Sequence, residues 1–153
     1  MSAKPSILFV EAPYYETIVG NMRKGAEAVC IEAGFDVQTI QVPGVFEIPA
    51  ACALAWEAGG GSVYAGVIAL GCVIRGETDH YDHICREASR ACMDLAVVEG
   101  VPFGFGILTC ENEDQANVRA DPAGKNKGAE AAKACLAMIH LHQRLADMVD
   151  ASA

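Results

Sequence analysis

The segment Gly71–His80 holds the densest group of side chains that could do chemistry, and it directly follows an apolar run. Gly76 lets the backbone approach a ligand closely, and Thr78 or Asp79 can cap a helix that follows. Free backbone N–H groups at such a helix start form a natural site for a phosphate or a carboxylate. An ordinary capped helix start has the same sequence, so the segment leaves two interpretations open.

His80 lies at the same predicted helix start. A histidine side chain can give and take protons near neutral pH, which suits acid-base catalysis, but a surface histidine fits the position equally. Asp79, His80, Asp82 and His83 also contain metal-ligand residue types. Because adjacent residues of a helix point apart and no further ligand cluster follows, we expect no metal site there.

Other candidate residues also follow predicted strands. Tyr14 and Phe46 could stack on a flat ring or form the rim of the core. Glu47 could accept hydrogen bonds from a polyol or an amide edge, or place a favourable charge near a helix N-terminus. Basic side chains after the fourth strand could clamp an anion or form a solvated face. These basic residues are Arg119, Lys125 and Lys127.

Hydrophobic periodicity predicts the strands and helices that would position these residues. The predicted strands are Ile7–Val10, Phe35–Val42, Val63–Leu70 and Phe103–Leu108. The predicted helices are Glu16–Ala33, Ile48–Ala58, Tyr81–Glu99 and Ala129–Met148. Gly71–His80 and the polar stretch around Arg119 are predicted as loops, and Asp150–Ala153 as a frayed tail.

Short, almost continuously apolar strands that alternate with helices indicate a parallel sheet covered on both faces. We therefore predict an α/β fold, a three-layer αβα sandwich with a four-stranded sheet, in a single domain of residues 1–153. Ligands of open parallel sheets bind outside the carboxyl ends of the strands. The candidate residues fall largely at those ends, and this convergence indicates a site more strongly than any one motif.

The composition limits the class of protein. The chain has 153 residues, of which 52% are hydrophobic and 20% charged, so intrinsic disorder is excluded. A net charge of -9 argues against a general nucleic-acid binder but allows a small anionic ligand. The 7 cysteines contain no C-x-x-C pair, so we expect reduced thiols and a cytoplasmic location. We expect neither a signal peptide nor a membrane span.

Three motifs together resemble those of a known enzyme family. They are Pro-Gly-Val-Phe-Glu-Ile-Pro from Pro43, Gly-Cys-Val-Ile-Arg-Gly-Glu-Thr-Asp-His-Tyr-Asp from Gly71, and Gly-Lys-Asn-Lys-Gly-Ala-Glu-Ala from Gly124. In this order and spacing the chain resembles the 6,7-dimethyl-8-ribityllumazine synthase family from about Ile7 to Leu145. The resemblance implies a four-stranded parallel sheet with flavodoxin-like layering.

The resemblance also implies an activity, the penultimate step of riboflavin biosynthesis. In it, 5-amino-6-(D-ribitylamino)uracil condenses with 3,4-dihydroxy-2-butanone 4-phosphate to the lumazine, with release of phosphate and water. No cofactor and no metal are implied. The family forms homopentamers in which neighbouring subunits share each active site, and neither a nucleic acid nor a membrane is an expected partner.

The resemblance assigns the first group of site residues to the ribitylaminouracil. An aromatic residue is implied to stack on the pyrimidine, a loop to hold the ribityl chain, and a strand end to read the pyrimidine edge through its backbone. In that order the residues are Tyr14, then Val45, Phe46 and Glu47, then Cys72, Val73 and Ile74. Cys72 stands where threonine is common, so a hydroxyl contact is lost there.

The remaining residues are implied to act on the phosphate and on protons. Glu77 and Thr78 match the phosphate-binding turn, where Glu77 adds a carboxylate whose side chain must point away. His80 matches the proton-transfer histidine. The adjacent subunit is implied to supply an aromatic side chain, a phosphate-binding arginine and a lysine near the pyrimidine. These are Phe105, Arg119 and Lys127.

The sequence leaves the assembly and two alternative functions open. The stretch from Arg119 to Lys125 departs from the form associated with icosahedral shells, so we expect a pentamer, with a pair of pentamers or a sixty-subunit shell as alternatives. A flavin- or lumazine-binding module with little turnover is one alternative function, although His80 and Arg119 argue against it. A mainly structural shell protein is the other.

Overall fold

Strands and helices alternate along residues 4–153, the part of the chain that the computed structural model describes. The strands are β1 (Ser6–Glu11), β2 (Val37–Gln41), β3 (Tyr64–Ile74) and β4 (Phe103–Cys110). The helices are α1 (Glu16–Glu32), α2 (Ile48–Gly59), α3 (His80–Val97), α4 (Glu113–Ala120) and α5 (Lys127–Ser152). A 3₁₀ turn covers Val45–Glu47. Residues 1–3 of the predicted domain 1–153 lie outside the described residues.

The strands form one parallel sheet in the order β2-β1-β3-β4, with helices on both faces. Alternate side chains of a strand point to opposite faces, and each face has its own buried cluster. Ile7 and Phe9 pack with side chains of α1, α4 and α5. Leu8 and Val10 pack with side chains of α2 and α3. The predicted three-layer αβα sandwich with a four-stranded parallel sheet is confirmed.

Glycines allow α5 to lie close to both α1 and the sheet. A Cβ atom on Gly128 would overlap the backbone carbonyl of Met22 on α1. A Cβ atom on Gly104 of β4 would likewise overlap the carbonyl of Ala131 on α5. Because a core tolerates little added volume at such contacts, these glycines fix the height of α5 above β4. That packing in turn sets the position of Lys127, the first residue of α5.

The strands β3 and β4 run further than the hydrophobic pattern predicts. β3 continues past its predicted end at Leu70 to Ile74, so the first part of the predicted loop is strand. The backbone of this extension pairs with β4 as far as Cys110, beyond the predicted end of β4 at Leu108. Gly71 interrupts the apolar side-chain pattern, but strand pairing needs only backbone N–H and C=O groups. The loop is confined to residues 75–79.

The polar stretch predicted as a loop around Arg119 contains the helix α4, so that prediction is wrong. Asn112 is the N-cap, and its side chain accepts a hydrogen bond from the backbone N–H of Gln115 at 2.9 Å. Only Ala116 and Ala120 of this helix are buried. Two small buried residues on a short helix give only a weak apolar period, so hydrophobic periodicity does not detect α4.

The end of α5 also differs from the prediction. The helix continues to Ser152, so the frayed tail predicted for Asp150–Ala153 is wrong. No glycine or proline interrupts the helix after Gly128, and alanine, leucine and methionine favour its continuation. No helix within residues 4–153 combines the length and the apolar character that crossing a lipid bilayer requires.

Candidate active site

A cavity of ≈ 740 Å³ opens at the carboxyl ends of the strands, within the size range of small-molecule sites. It is bordered by segments that follow β1 and β2, by the end of β3 and by the start of α3. The lining residues are Tyr14, Tyr15, Gly44, Val45, Phe46, Glu47, Cys72, Val73, Ile74, His80, His83 and Ile84. This cavity brings together the predicted residues Tyr14, Val45, Phe46, Glu47, Cys72, Val73, Ile74 and His80.

Two exposed aromatic rings stand at the rim of the cavity. The side chain of Tyr14 is 78% exposed and that of Phe46 is 62% exposed. Tyr14 contacts the ring of Tyr15 edge-on, with ring centroids 5.0 Å apart. Large apolar rings this exposed can stack on a flat ligand without displacing a packed neighbour.

The 3₁₀ turn before α2 is anchored on the floor of the cavity. Val45 is buried and packs so closely on Gly71 that a Cβ atom there would lie 2.8 Å from a Val45 methyl group. Glu47, the N-cap residue of α2, makes no side-chain capping bond. The turn is therefore fixed by Val45, while the side chains of Phe46 and Glu47 face the cavity.

The end of β3 offers backbone hydrogen-bonding groups to the cavity. β1 ends opposite Leu70, and beyond that point β3 pairs with β4 alone. The backbone groups of Cys72–Ile74 that point toward β1 consequently have no strand partner. Such an open strand edge can hydrogen-bond the edge of a planar heterocycle.

The thiol of Cys72 is not equipped to act as a nucleophile. Burial raises its pKa to about 12, and the neighbouring Cys110 adds to the rise. The nucleophilic form of cysteine is the thiolate, which is scarce at neutral pH for such a group. All 7 cysteines are free, as the sequence predicts for reduced thiols.

His80 is the first residue of α3 and lines the cavity, next to the loop assigned to phosphate. Its backbone N–H donates to the Thr78 hydroxyl at 3.4 Å, so Thr78 provides a weak version of the predicted cap. Asp79 makes no side-chain cap, because its carboxylate instead contacts His83 Nε2 at 3.0 Å. Glu77 and Thr78 are exposed and lie outside the lining of the cavity.

Arg75, which the sequence did not single out, ties this loop to the neighbouring strand. Its Nε donates to Glu111 at 2.8 Å, and one terminal nitrogen contacts Asp82 at 3.4 Å. The guanidinium also lies 4.3 Å from the ring centre of Tyr81. The hydrogen bond to Glu111 is the leading reason why the pKa of Arg75 is raised. The loop before His80 is thus held at both ends.

A buried carboxylate holds the segment that carries Tyr14. Glu11 at the end of β1 is fully buried, and Arg23 Nη1 donates to its two oxygens at 2.7 and 2.9 Å. Gln41 of β2 donates to the same carboxylate at 2.8 Å. Because removing a partner would leave an uncompensated buried charge, this network fixes β1, β2 and α1 where the cavity begins.

Phe105, Arg119 and Lys127 do not reach this cavity within one chain. Phe105 and Lys127 line a second cavity of ≈ 410 Å³ between β4 and α5, where Lys127 pairs with Glu130 at 2.6 Å. The guanidinium of Arg119 donates to the carbonyl of Gln115 at 3.2 Å. The three basic residues Arg119, Lys125 and Lys127 therefore form no clamp on the first cavity of the same chain.

Among residues 4–153, no three histidine, cysteine, aspartate or glutamate side chains are grouped as metal ligands would be. At the start of α3, the exposed side chains of Asp79 and His83 contact each other instead of a shared metal position. His83 and Tyr15 also line the cavity, although the sequence gave Tyr15 no site role and considered His83 only as a metal ligand that was not expected. The signal for His83 was its spacing, since it lies one helical turn after His80.

The fold and the cavity define a doubly wound α/β protein with a small-molecule site. The strand order matches the flavodoxin-like order, and the cavity lies at the point between β1 and β3 where the strand order reverses. The profile of the 6,7-dimethyl-8-ribityllumazine synthase family matches residues 4–143. The chain therefore belongs to the 6,7-dimethyl-8-ribityllumazine synthase family.

Curated relatives cover nearly all of this chain. It is 48% identical to the 6,7-dimethyl-8-ribityllumazine synthase of Agrobacterium fabrum over 145 residues, which are 94% of this chain and 98% of the relative. The enzyme of that name from Bartonella tribocorum is 48% identical over 96% of each chain. That from Novosphingobium aromaticivorans is 49% identical over 90% of this chain and 96% of the relative.

Proposed function

We propose that this chain catalyses the condensation of 5-amino-6-(D-ribitylamino)uracil with 3,4-dihydroxy-2-butanone 4-phosphate to 6,7-dimethyl-8-ribityllumazine. The observation that carries the proposal is the family match over residues 4–143. The cavity at the strand ends supports it, because its size and its exposed aromatic rings suit a heterocycle with a polyol chain.

The proposed reaction needs positioning more than it needs reactive protein groups. The uracil amine attacks the ketone and forms an imine with loss of water. Phosphate then leaves, and the ribitylamino nitrogen closes the ring with loss of a second water. Both reacting groups belong to the substrates, and holding them together can supply about 7–11 kcal/mol of the barrier. The protonated thiol of Cys72 agrees with a mechanism that uses no protein nucleophile.

We assign the ribitylaminouracil to the side of the cavity formed by β1, the 3₁₀ turn and β3. Tyr14 would stack on the pyrimidine, and the segment of Val45, Phe46 and Glu47 would hold the ribityl chain. The open backbone edge of Cys72, Val73 and Ile74 would hydrogen-bond the pyrimidine edge. Two observations support these roles. Tyr14 is exposed, and the last residues of β3 have no strand partner on the side that faces β1.

We assign the phosphate to the loop that Arg75 holds in place. Backbone N–H groups near Thr78 and the start of α3 would bind it, with the exposed Glu77 side chain directed away. His80 would transfer protons, a role that adds about 10²–10⁴-fold to a rate. Arg119 would stabilise the phosphate as it departs.

We further propose that Phe105, Arg119 and Lys127 act in the cavity of a neighbouring copy of the chain. Their separation from the first cavity supports this, and Phe105 is 44% exposed. A homopentamer with shared sites is the assembly that follows from the family. Light scattering separates this pentamer from a pair of pentamers and from a sixty-subunit shell.

Two further proposals concern the setting of the enzyme. We place it in the cytoplasm, in agreement with its 7 free thiols. We treat residues 1–153 as one domain, because the described residues share one sheet.

Purified protein incubated with both substrates tests the activity. We expect lumazine and phosphate to form in equal amounts, faster than in the spontaneous reaction. A matched incubation without protein measures that background. Bound flavin or ribitylpyrimidine without acceleration would contradict the proposal and indicate a binding module instead. Large assemblies without acceleration would indicate a structural shell.

A further inference from the structure

We propose that His83 is a second proton-transfer residue of this site and that Asp79 positions its ring. The inference deepens the proposed synthase function and rests on it. Asp79 and His83 are two of the four residues whose types suggested only a weak metal-site candidate in the sequence.

The geometry of α3 places His83 beside His80. Residues three apart on a helix lie on the same face, and the two histidines both line the cavity at the strand ends. The side chain of His83 is 62% exposed, so a ligand can reach its ring. Two imidazoles therefore face one binding site.

Asp79 fixes which nitrogen of His83 carries a proton. The carboxylate lies 3.0 Å from His83 Nε2, and an ionised carboxylate can only accept a hydrogen bond. Nε2 must then carry the hydrogen, while Nδ1 has no hydrogen-bond partner within residues 4–153. The ring of His80 has no such partner in the same part of the chain, so His83 is the better oriented of the two.

An imidazole held in this way can accept and return one proton. Neutral His83 would take a proton on Nδ1 from the carbon next to the imine, as the C–O bond to phosphate breaks. The C–H electron pair becomes a C=C bond, and the C–O pair leaves with the phosphate. The enol that results passes its hydroxyl proton to the terminal methylene carbon and becomes a methyl ketone. His83 would then return its proton from Nδ1 to the carbinolamine hydroxyl, which departs as water after the ribitylamino nitrogen attacks that ketone. The pyrimidine N–H proton goes to the released phosphate. The ring ends neutral, and no other reactant is required.

Several titratable groups lie around His83. Asp79 lies beside its Nε2, and Glu87 lies one turn further along α3. The other titratable groups that share its cavity are His80 on the same helix, and Tyr14, Tyr15 and Glu47 across the cavity. The Asp79–His83 pair is exposed on both sides, so its role is orientation rather than stability of the fold.

The test compares His83→Gln and Asp79→Asn with wild type and with His140→Gln, a control at an exposed histidine of α5. Glutamine can still donate to Asp79 but cannot take up a proton, so it separates proton transfer from support of the loop. We expect His83→Gln to lower kcat about 10–10²-fold with both KM values nearly unchanged, and to remove one limb of the pH–rate profile.

The positioning role of Asp79 predicts a smaller effect. Asp79→Asn should lower kcat only several-fold with both KM values nearly unchanged, because the His83 ring loses the acceptor that orients its Nε2–H. In the His83→Gln background the same change should have little further effect, whereas a merely structural role of Asp79 would lower kcat equally in both backgrounds. This second variant also decides the matter if His83→Gln does not fold, as circular dichroism would reveal.

The outcomes separate this inference from the proposed function. Wild-type protein that fails to accelerate lumazine formation would overturn both. An active wild type together with His83→Gln of unchanged kcat and pH profile would overturn the role of His83 alone. Equal losses in His83→Gln and His140→Gln would also overturn it.

Discussion

Single side chains at the cavity fall into two groups, those held by the protein and those left free for a ligand. Glu11, Arg75 and His83 are held by hydrogen bonds of 3.0 Å or less. The rings of Phe46 and His80 have no hydrogen-bond or aromatic partner within residues 4–153. The held residues define the shape of the site, and the free ones can adapt to the substrates.

Replacing His80 tests the proton-transfer role directly. We expect His80→Ala to slow turnover by about 10–10³-fold, because positioning of the substrates is retained. Since the His80 side chain is exposed, the melting temperature should change little. The measurement is steady-state lumazine formation, with His140→Ala as the matched control. Turnover equal to that of wild type would remove His80 from the mechanism.

The sequence predicts the site residues that make no hydrogen bond within the protein better than it predicts the residues that hydrogen bonds hold in place. Phe46 and His80 follow predicted strands, so their place at the strand ends could be deduced before the structure was known. The bond from Arg75 joins it to Glu111, 36 residues away, and Gln41 lies 30 residues from Glu11. No local pattern specifies such pairs, which form only when distant segments pack together.

The strands and helices place these residues through close backbone contacts. Most of their bounds agree with the periodicity to within one or two residues, because each buried face repeats clearly. Periodicity fails for α4, which buries only alanines, and for the end of β3, where glycine and cysteine break the pattern. The pattern of side chains therefore predicts elements with a large buried face well. It predicts poorly the segments whose structure depends mainly on backbone hydrogen bonds.

The contact between α1 and α5 gives a prediction at this scale. A Cβ atom at Gly128 would overlap the Met22 carbonyl, so Gly128→Ala should destabilise the fold by about 1–3 kcal/mol and lower Tm by about 2–10 °C. Gly20→Ala on α1 is the control, because its Cβ atom would make an ordinary contact and should stabilise the helix by about 0.5–1 kcal/mol.

Thermal unfolding at one fixed protein concentration measures both variants. Equal melting temperatures for Gly128→Ala and Gly20→Ala would show that α1 and α5 have room to separate. The packing account of how Lys127 is positioned would then be wrong.

At the scale of the whole molecule, the proposed function divides one site between two copies of the chain. Its cavity has aromatic rings and a histidine, but Arg119 lies elsewhere on the same chain. A second copy that brings Arg119 to this cavity would supply the missing positive charge for a phosphate. The net charge of -9 makes such a local cation more important for binding an anionic substrate.

Mixing His80→Ala with Arg119→Ala after joint unfolding and refolding tests most directly whether two copies of the chain share a lumazine-forming site. Because Arg119 is proposed to bind the phosphate, Arg119→Ala should raise the KM for butanone phosphate, and the assay uses a concentration far below that KM. Each variant alone should keep at most about one tenth of the wild-type activity under these conditions. Random mixing in a shared-site oligomer should restore about one quarter of wild-type activity, because some sites then combine an intact His80 with a neighbour's intact Arg119. Activity no higher than the sum of the two separate variants would contradict a shared site.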